Sequence, residues 1–220
     1  MNTQKQTSSD INLTKLEQIG YTEDDIRDII ASRRLLKEKT WSEVCVPPRF
    51  KNATFDSFRV DPENRSAFNR LVQAAKSYSG DWVYIVGPTG VGKTHLAYAV
   101  AKELANQGYW PRFIKWTEAV RDMIAAIKGE DYSRYADDYR GKRPLILDDF
   151  GSTDVGGYLV DGVRDRTLEI IDYRYDHELP LIVTTNLVPA EIEKKYGSRV
   201  RSRLLSGVNL SINGKDRRNS

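Results

Sequence analysis

The chain has 220 residues, a formal net charge of +3 and a single cysteine, Cys45. This length suits one α/β domain with a small appendage, and a lone cysteine excludes an internal disulfide bond or a zinc site made of cysteines. No stretch approaches about 18 consecutive apolar residues, and the polar N-terminus MNTQKQTSSD lacks an apolar signal segment. We therefore expect a cytoplasmic protein that has no membrane span.

Residues 1–45 are predicted to form a small helical region. Apolar side chains with helical spacing precede Gly20, which can end a first helix, and Thr22 with Asp25 resembles the capping box that starts a second. Such a hairpin is too small for a large core of its own. We expect it to dock a partner protein or to pack as a flap on the main domain, residues 46–220.

The main domain is predicted to alternate strands and helices. Asp61 followed by Pro62 is typical of a helix start, and Thr117 is expected to cap a later helix. Apolar runs predict five strands: Val83 to Val86, Arg112 to Trp116, Leu145 to Leu147, Leu181 to Thr185 and Val208 to Ile212. This alternation indicates an α/β fold in which helices cover both faces of a five-stranded parallel sheet.

A glycine-rich loop joins the first strand to the helix that follows it. Its residues fit the pattern G-x-x-x-x-G-K-[ST] and are followed by His95: Gly87, Pro88, Thr89, Gly90, Val91, Gly92, Lys93 and Thr94. Glycines let backbone N–H groups point at phosphate oxygens, and the helix N-terminus favours negative charge. In such a loop Lys93 reaches the β- and γ-phosphates and the Thr94 hydroxyl binds Mg²⁺. The sequence therefore predicts that residues 87–95 bind ATP with Mg²⁺.

Polar side chains end two further strands. The strand LILDD ends in Asp148 and Asp149, and the strand LIVTTN ends in Asn186. Asp148 is predicted to hold Mg²⁺ through water, and Asp149 to orient or deprotonate the attacking water. The Asn186 amide can lie between that water and the γ-phosphate. An aspartate pair that caps a turn is the structural alternative for the two acids.

Residues 130–143, EDYSRYADDYRGKR, interleave aromatic and basic side chains. Tyr132 and Tyr135 have helical spacing, with Arg134 and Arg140 beside them. Stacking aromatics and phosphate-pairing cations suit single-stranded nucleic acid without base readout. Tyrosines that pack in the core, with charges offset by nearby acids, explain the pattern equally well. Tyr158, in the loop after the acid pair, is a further candidate.

Charge accumulates at the C-terminal end. From Lys194 to Ser220 there are eight Lys or Arg and one acid, Asp216, a net charge of +7 that leaves −4 for the rest of the chain. This imbalance suits an anionic partner, and a solubilising terminus explains it as well. On a helix Arg199 and Arg203 share one face, whereas Arg201 points elsewhere.

The ordered segments GPTGVGKTHLA, LILDDFG, IVTTN and SRVRSRLL resemble an AAA+ ATPase of the initiator clade. The likeness is to DnaC/DnaI-type helicase loaders and to the similar IstB-type transposition ATPases, and it covers about residues 46–218. It implies a P-loop NTPase of AAA+ type whose ATPase sites are completed when subunits pack in a ring or spiral. The chain stops at residue 220, so we expect no C-terminal lid domain.

The resemblance also implies residue roles. Lys93 and Thr94 match the Walker A motif, Asp148 and Asp149 the Walker B pair, Asn186 sensor 1, Arg203 the arginine finger that acts in trans, Arg199 its neighbour at the interface, and Arg218 or Arg217 sensor 2. The resulting prediction is a slow, assembly-dependent ATPase that helps place a replicative DNA helicase on single-stranded DNA and contacts that helicase through its N-terminal region.

Three alternatives remain open at the level of sequence. A transposition helper ATPase would bind duplex DNA and a transposase. A small-molecule P-loop kinase would need an acceptor pocket and a mobile lid that carries arginine. A nucleotide-bound scaffold would bind ATP and never hydrolyse it.

Overall fold

The structure, a computed structural model, describes residues 21–27, 41–130, 132–153 and 159–217. Five strands form its sheet: β1 (Val83–Val86), β2 (Arg112–Lys115), β3 (Leu145–Phe150), β4 (Leu181–Thr185) and β5 (Val208–Ser211). Their order is β2-β3-β4-β1-β5, and every neighbouring pair is parallel. The predicted five-stranded parallel sheet is confirmed.

Helices flank the sheet. They are α1 (Trp41–Cys45), α2 (Arg65–Lys76), α3 (Lys93–Asn106), α4 (Trp116–Ile127), α5 (Tyr132–Arg140), α6 (Leu159–Asp176), α7 (Pro189–Tyr196) and α8 (Ser198–Leu204), and residues 23–27 are also helical. No helix within the described ranges has both the length and the apolar composition that a membrane crossing needs.

The core has two halves, one on each face of the sheet. Successive strand residues alternate between them, so that Ile85 and Ile182 belong to one hydrophobic cluster and Tyr84 and Val183 to the other. Each buried aliphatic side chain of this kind contributes about 1.5–3 kcal/mol to folding. The alternation explains why the strands are apolar almost throughout, as expected for a sheet covered on both faces.

Two predicted helix starts are wrong. Helix α2 begins at Arg65 rather than after Asp61, because the Asp61 N–H donates to Asn64 Oδ1 (3.0 Å) and the Asn64 N–H to the Asp61 carbonyl (3.1 Å). These two bonds close a turn ahead of the helix. Helix α4 begins at Trp116 and follows β2 directly, so Thr117 lies inside the helix rather than capping it.

The described parts of the N-terminal region pack on the main domain. Tyr21, Ile26 and Trp41 are buried, and the Trp41 indole N–H donates to the Pro111 carbonyl (2.8 Å). The Thr22 N–H donates to Asp25 Oδ2 (2.7 Å) and the Asp25 N–H to Thr22 Oγ1 (3.3 Å), which confirms the capping box. The rest of the predicted hairpin, residues 1–20 and 28–40, lies outside the described residues.

Candidate functional site

A cleft of about 770 Å³ opens at the carboxyl ends of β1, β3 and β4. Its volume lies within the range of small-ligand sites. Parallel strands bring their carboxyl ends to one edge, so the loop after β1, the acids of β3 and the polar end of β4 meet there although they are about 100 residues apart in sequence. Ligands of open α/β sheets bind at this edge.

The glycines of the loop are required by its geometry. Gly90 and Gly92 have φ values of 84° and 100°, in the left-handed region that residues with a Cβ rarely adopt. A Cβ on Gly87 would overlap the carbonyl oxygen of Ile212. The loop therefore lies close to its neighbours and leads directly into α3, whose N-terminus favours a phosphate group.

Lys93 is the first residue of α3, and its side chain is buried over the loop. Its ammonium donates to the carbonyls of Gly87 and Pro88 (both 2.8 Å) and to Asn186 Oδ1 (2.5 Å). The charge thus lies where the sequence predicts the β- and γ-phosphates. A phosphate oxygen is a stronger acceptor for this ammonium than a neutral carbonyl.

Asp148 and Thr94 meet at the predicted magnesium position. Thr94 Oγ1 donates to Asp148 Oδ2 (3.0 Å), and Thr184 Oγ1 donates to Asp148 Oδ1 (2.6 Å). Burial raises the pKa of the Asp148 carboxyl, against the opposing effect of these two hydrogen bonds. A bound cation would offset the cost of burying that carboxylate, and a carboxylate with a hydroxyl is a donor pair that suits Mg²⁺.

The remaining magnesium ligands would have to come from elsewhere. Among the described residues no group of three or more His, Cys, Asp or Glu could hold a metal ion by itself. Mg²⁺ in nucleotide sites keeps several waters and takes phosphate oxygens as ligands. The residues present therefore fit a cation that arrives together with a nucleotide.

Asp149 adopts a left-handed backbone, with φ of 60°. Its N–H donates to Thr184 Oγ1 (2.9 Å), and the register of β3 with β4 shifts between Leu147 and Phe150. Asn186 Nδ2 donates to Asp149 Oδ1 (3.4 Å), so Asn186 links Lys93 to Asp149. Such backbone strain costs of order 1–3 kcal/mol and is typical of functional sites.

The opposite wall of the cleft was not assigned from the sequence. It is lined by Arg49, Ser57, Phe58 and Arg59, together with two predicted residues, His95 and Arg217. The Phe58 ring is stacked on Phe68 (5.4 Å between centroids), and the Arg217 guanidinium lies 4.3 Å from the centre of the Phe58 ring. Ser57, Phe58 and Arg59 lie in the segment ATFDSFRVD, to which no site role was assigned from the sequence.

Two C-terminal arginines were candidates for sensor 2. Arg217 lies in the cleft, donates its N–H to the Gly90 carbonyl (3.0 Å) and pairs with Asp61 (2.7 Å). Arg218 lies outside the described residues. His95, at the first turn of α3, has its Nε2 at 2.9 Å from the Thr54 carbonyl oxygen, and burial lowers the pKa of its imidazole.

The arginines of α8 lie away from the cleft lining of their own chain. Arg199 pairs with Asp172 of α6 (3.0 Å), and Arg203 pairs with the same carboxylate and with Asp176 (3.2 Å). Arg201 instead pairs with Glu193 (3.6 Å). The predicted shared face of Arg199 and Arg203 is therefore present. The trans role of Arg203 stays a prediction.

The described tyrosine side chains of helix α5, Tyr135 and Tyr139, are buried. Tyr135 is 3% exposed and Tyr139 is fully buried, with the Tyr139 hydroxyl donating to Asp122 (2.8 Å). The prediction that Tyr135 stacks on bases is wrong, because the helical spacing of the tyrosines marks the core face of the helix. Arg140 is engaged with Glu169 and lies 5.2 Å from the centre of the Tyr173 ring.

Three other nucleic-acid candidates cannot be placed. Tyr132 and Arg134 belong to α5 by their backbone, but their side chains lie outside what the structure describes, as does the whole of Tyr158. The basic residues that follow α5 are partly engaged as well, since Lys142 pairs with Asp25 (2.9 Å).

Comparison with known proteins identifies a family for the chain. The family model described as IstB-like ATP binding protein matches residues 29–205. The replicative helicase loader DnaI of Bacillus subtilis (strain 168) is 27% identical over 150 residues, 66% of this chain and 47% of that protein. The chain spans between 30% and 47% of the length of the curated relatives that it matches.

Solved structures share the fold. The crystal structure of the DnaC helicase loader has a TM-score of 0.66 at 25% identity and covers 77% of this chain and 100% of that one. AMPPCP-bound DnaA from Aquifex aeolicus, at 22% identity, has a TM-score of 0.63 over 76% of this chain and 51% of that one. The predicted AAA+ fold and the likeness to DnaC, DnaI and IstB-type proteins are confirmed.

Proposed function

Since the chain belongs to the family of IstB-like ATP binding proteins, we propose that it is a helicase-loader ATPase, which uses ATP to help place a replicative DNA helicase on single-stranded DNA. One observation carries the proposal. Lys93, Thr94, Asp149 and Asn186, four of the residues proposed to act in ATP hydrolysis, line a single cleft of a fold whose likeness extends over the whole chain of the DnaC helicase loader structure. The family match argues against the small-molecule kinase alternative, because the matching family is that of IstB-like ATP binding proteins.

The cleft supplies a part for each requirement of phosphoryl transfer. Lys93 would exchange its carbonyl partners for phosphate oxygens, and Thr94 with Asp148 would hold Mg²⁺, which neutralises charge on the β- and γ-phosphates. The oxygen of a water attacks the γ-phosphorus, the bond to the bridging oxygen breaks, and Asp149 accepts the proton that the water releases. Asn186 holds Asp149 in place for this step.

We further propose that the site is completed by assembly into a homo-oligomer. Arg203 would act on the γ-phosphate of a neighbouring subunit, where a cation supplied in trans stabilises the charge of the transition state. Arg199, which shares Asp172 with Arg203, would lie at the same interface. Hydrolysis would then report that subunits have packed together, and it would be slow in the isolated chain.

Co-elution with the replicative helicase of the source organism tests the loader function. The full chain and the helicase are mixed with ATP and Mg²⁺ and separated by size, and a stable complex is the expected result. The Lys93→Ala variant is the matched control, because it keeps the N-terminal region and loses the phosphate contact. Absence of a complex between the unaltered chain and the helicase in ATP would contradict the proposal.

A transposition helper is the second candidate, and the IstB-like family match is what favours it. Such a protein would bind duplex DNA and a transposase. Binding of fluorescent single-stranded and duplex oligonucleotides of equal length, with ATP present, separates the two functions. Tighter binding to the single strand is expected of the loader, and tighter binding to duplex would support the helper. The predicted cytoplasmic location remains a prediction under either function.

A further inference from the structure

Thr184 of β4 contacts both acids at the end of β3 through one hydroxyl group. Its Oγ1 donates to Asp148 Oδ1 (2.6 Å) and accepts the N–H of Asp149 (2.9 Å). The residue is 1% exposed, and a buried hydroxyl costs free energy unless it is hydrogen-bonded. Both of these bonds go to acids of the proposed ATPase site. Valine has nearly the same shape as threonine and could make neither bond.

An irregularity in the sheet places Thr184 opposite two residues. The register of β3 with β4 shifts between Leu147 and Phe150, so Asp148 and Asp149 both lie against Thr184. A bulge of this kind disrupts the hydrogen-bond ladder locally. The Thr184 hydroxyl gives the Asp149 N–H a partner at that point, and a side chain of the neighbouring strand thereby holds the left-handed backbone of Asp149.

The bond to Asp148 determines which carboxylate oxygen faces the phosphate loop. Thr184 engages Oδ1, and the other oxygen, Oδ2, accepts the Thr94 hydroxyl (3.0 Å) at the predicted magnesium position. Alternation along β4 places Thr184 on the same face as Ile182, which shares a hydrophobic cluster with Leu96 of α3. Outer partners of this kind orient the groups that hold a metal ion.

We propose that Thr184 is a positioning residue for ATP hydrolysis, which turns the carboxylate of Asp148 toward Mg²⁺ and holds Asp149 toward the attacking water. This role rests on the proposed ATPase function and deepens it, since one hydroxyl aligns both acids. The alternative is that the hydroxyl only satisfies the irregular pairing of the two strands. A hydroxyl of that kind would affect folding stability and would leave the response of the site to Mg²⁺ unchanged.

Thr184→Val tests this role, because it preserves shape and removes the hydroxyl, and Thr184→Ala is a second variant without the hydroxyl. ATP affinity is measured in Mg²⁺ and in EDTA, and the ratio of the two affinities reports how strongly Mg²⁺ supports nucleotide binding. We expect this ratio to fall about tenfold in Thr184→Val, an effect typical of removing a partner that orients a metal-binding group. ATP affinity in EDTA should stay unchanged. Turnover at saturating ATP and Mg²⁺ should fall about 10–100-fold.

Two control variants separate positioning from packing. Thr184→Ser keeps the hydroxyl and should retain most of the affinity ratio and of the turnover. Thr167→Val, in α6, removes another buried hydroxyl, which donates to the Val163 carbonyl (2.7 Å) and has no contact with the acids. It should leave the affinity ratio and the turnover unchanged.

An unchanged affinity ratio or an unchanged turnover in folded Thr184→Val would overturn the proposal. Loss of both in Thr184→Ser would overturn it as well, because serine retains the hydroxyl. Absence of hydrolysis by the unaltered chain in its assembled form would contradict the proposed ATPase function instead. In that case the ratio of ATP affinities with and without Mg²⁺ would still decide the role of Thr184.

Discussion

Arg203 and Asp172 form an ion pair within one chain, and it joins α8 to α6. The Arg203 side chain is only 12% exposed, pairs also with Asp176 and lies 4.8 Å from the centre of the Tyr175 ring. An arginine that acts on a neighbour's γ-phosphate would have to leave these partners. The carboxylates of α6 therefore compete with that phosphate for the guanidinium, and the competition predicts opposite effects for the two ends of the pair.

Arg203→Ala should abolish the assembly-dependent ATPase and leave ATP binding intact. Asp172→Asn should keep that activity or raise it a few-fold, because it removes one competing carboxylate while preserving shape. Arg201→Ala is the matched control, since Arg201 lies on another face and pairs with Glu193. Hydrolysis rates at rising protein concentration, with ATP affinity measured in parallel, check the prediction. Unchanged hydrolysis in Arg203→Ala would return Arg203 to a purely structural role.

Asp149→Asn should reduce hydrolysis by about 10²–10⁴-fold, the usual contribution of a positioned general base. ATP affinity should change little, because Asp149 is not among the predicted Mg²⁺ ligands. Asparagine tolerates the left-handed backbone that Asp149 adopts, so the fold should persist. Phosphate release and nucleotide binding measured on the same preparation distinguish the two effects, and a parallel loss of binding would contradict the assigned role.

Asp148→Asn should stabilise the nucleotide-free protein at neutral pH. Burial raises the pKa of Asp148 in the folded state above its ordinary 3.8. The folded chain then favours the protonated acid, so stability from this group is present below pH 3.8 and is lost as pH rises through the folded pKa. An asparagine at this position does not ionise, so the variant does not lose stability in this way as the pH rises.

Denaturant unfolding from about pH 4 to pH 8 checks the prediction. The difference in unfolding free energy between the two proteins should grow with pH and then level off, and other titrating groups cancel because both proteins contain them. With ATP and Mg²⁺ the order should reverse, since the unaltered site gains binding energy that the variant lacks. A difference that does not vary with pH would contradict the inferred burial cost.

Much of the site could be predicted because its chemistry is local in sequence. The phosphate loop fixes Lys93 and Thr94 by spacing, and apolar strands that end in polar residues point to Asp148 and Asn186. The sequence could not show which of several residues of one type are buried and which are exposed. Tyr135 has the spacing of a binding face and lies on the core face, because periodicity shows that side chains share a face and not what covers it.

Arg174 is a further residue whose burial could not be predicted from the sequence. It is fully buried in α6 and donates to the carbonyls of Tyr139, Gly141, Arg143 and Pro180 at 2.6–3.0 Å. Burial lowers the pKa of its guanidinium to about 10, which still leaves it charged at neutral pH. Nothing in its sequence neighbourhood distinguishes it from the surface arginines of the same helix, because the four carbonyls converge only after folding.

Gly92→Ala should impair ATP binding beyond the effect of the backbone change alone. Gly92 has φ of 100°, and a Cβ there would lie 2.8 Å from Cε2 of Phe58, a buried ring of the cleft wall. Gly129 has φ of 81° and nothing within 4 Å of an added Cβ, which makes Gly129→Ala the matched control. Both variants carry the cost of a left-handed alanine, about 1–2 kcal/mol.

Only Gly92→Ala also displaces the ring that packs beside the phosphate loop. We expect its ATP dissociation constant to rise at least about tenfold, or ~1.4 kcal/mol, while that of Gly129→Ala stays unchanged. Nucleotide titration of both variants, after each has been checked for folding, makes the comparison. Equal ATP affinities of the two variants would mean that the Phe58 ring moves without cost to make room for the added methyl group. In that case the wall formed by residues 49–59 would not hold the nucleotide rigidly against the phosphate loop.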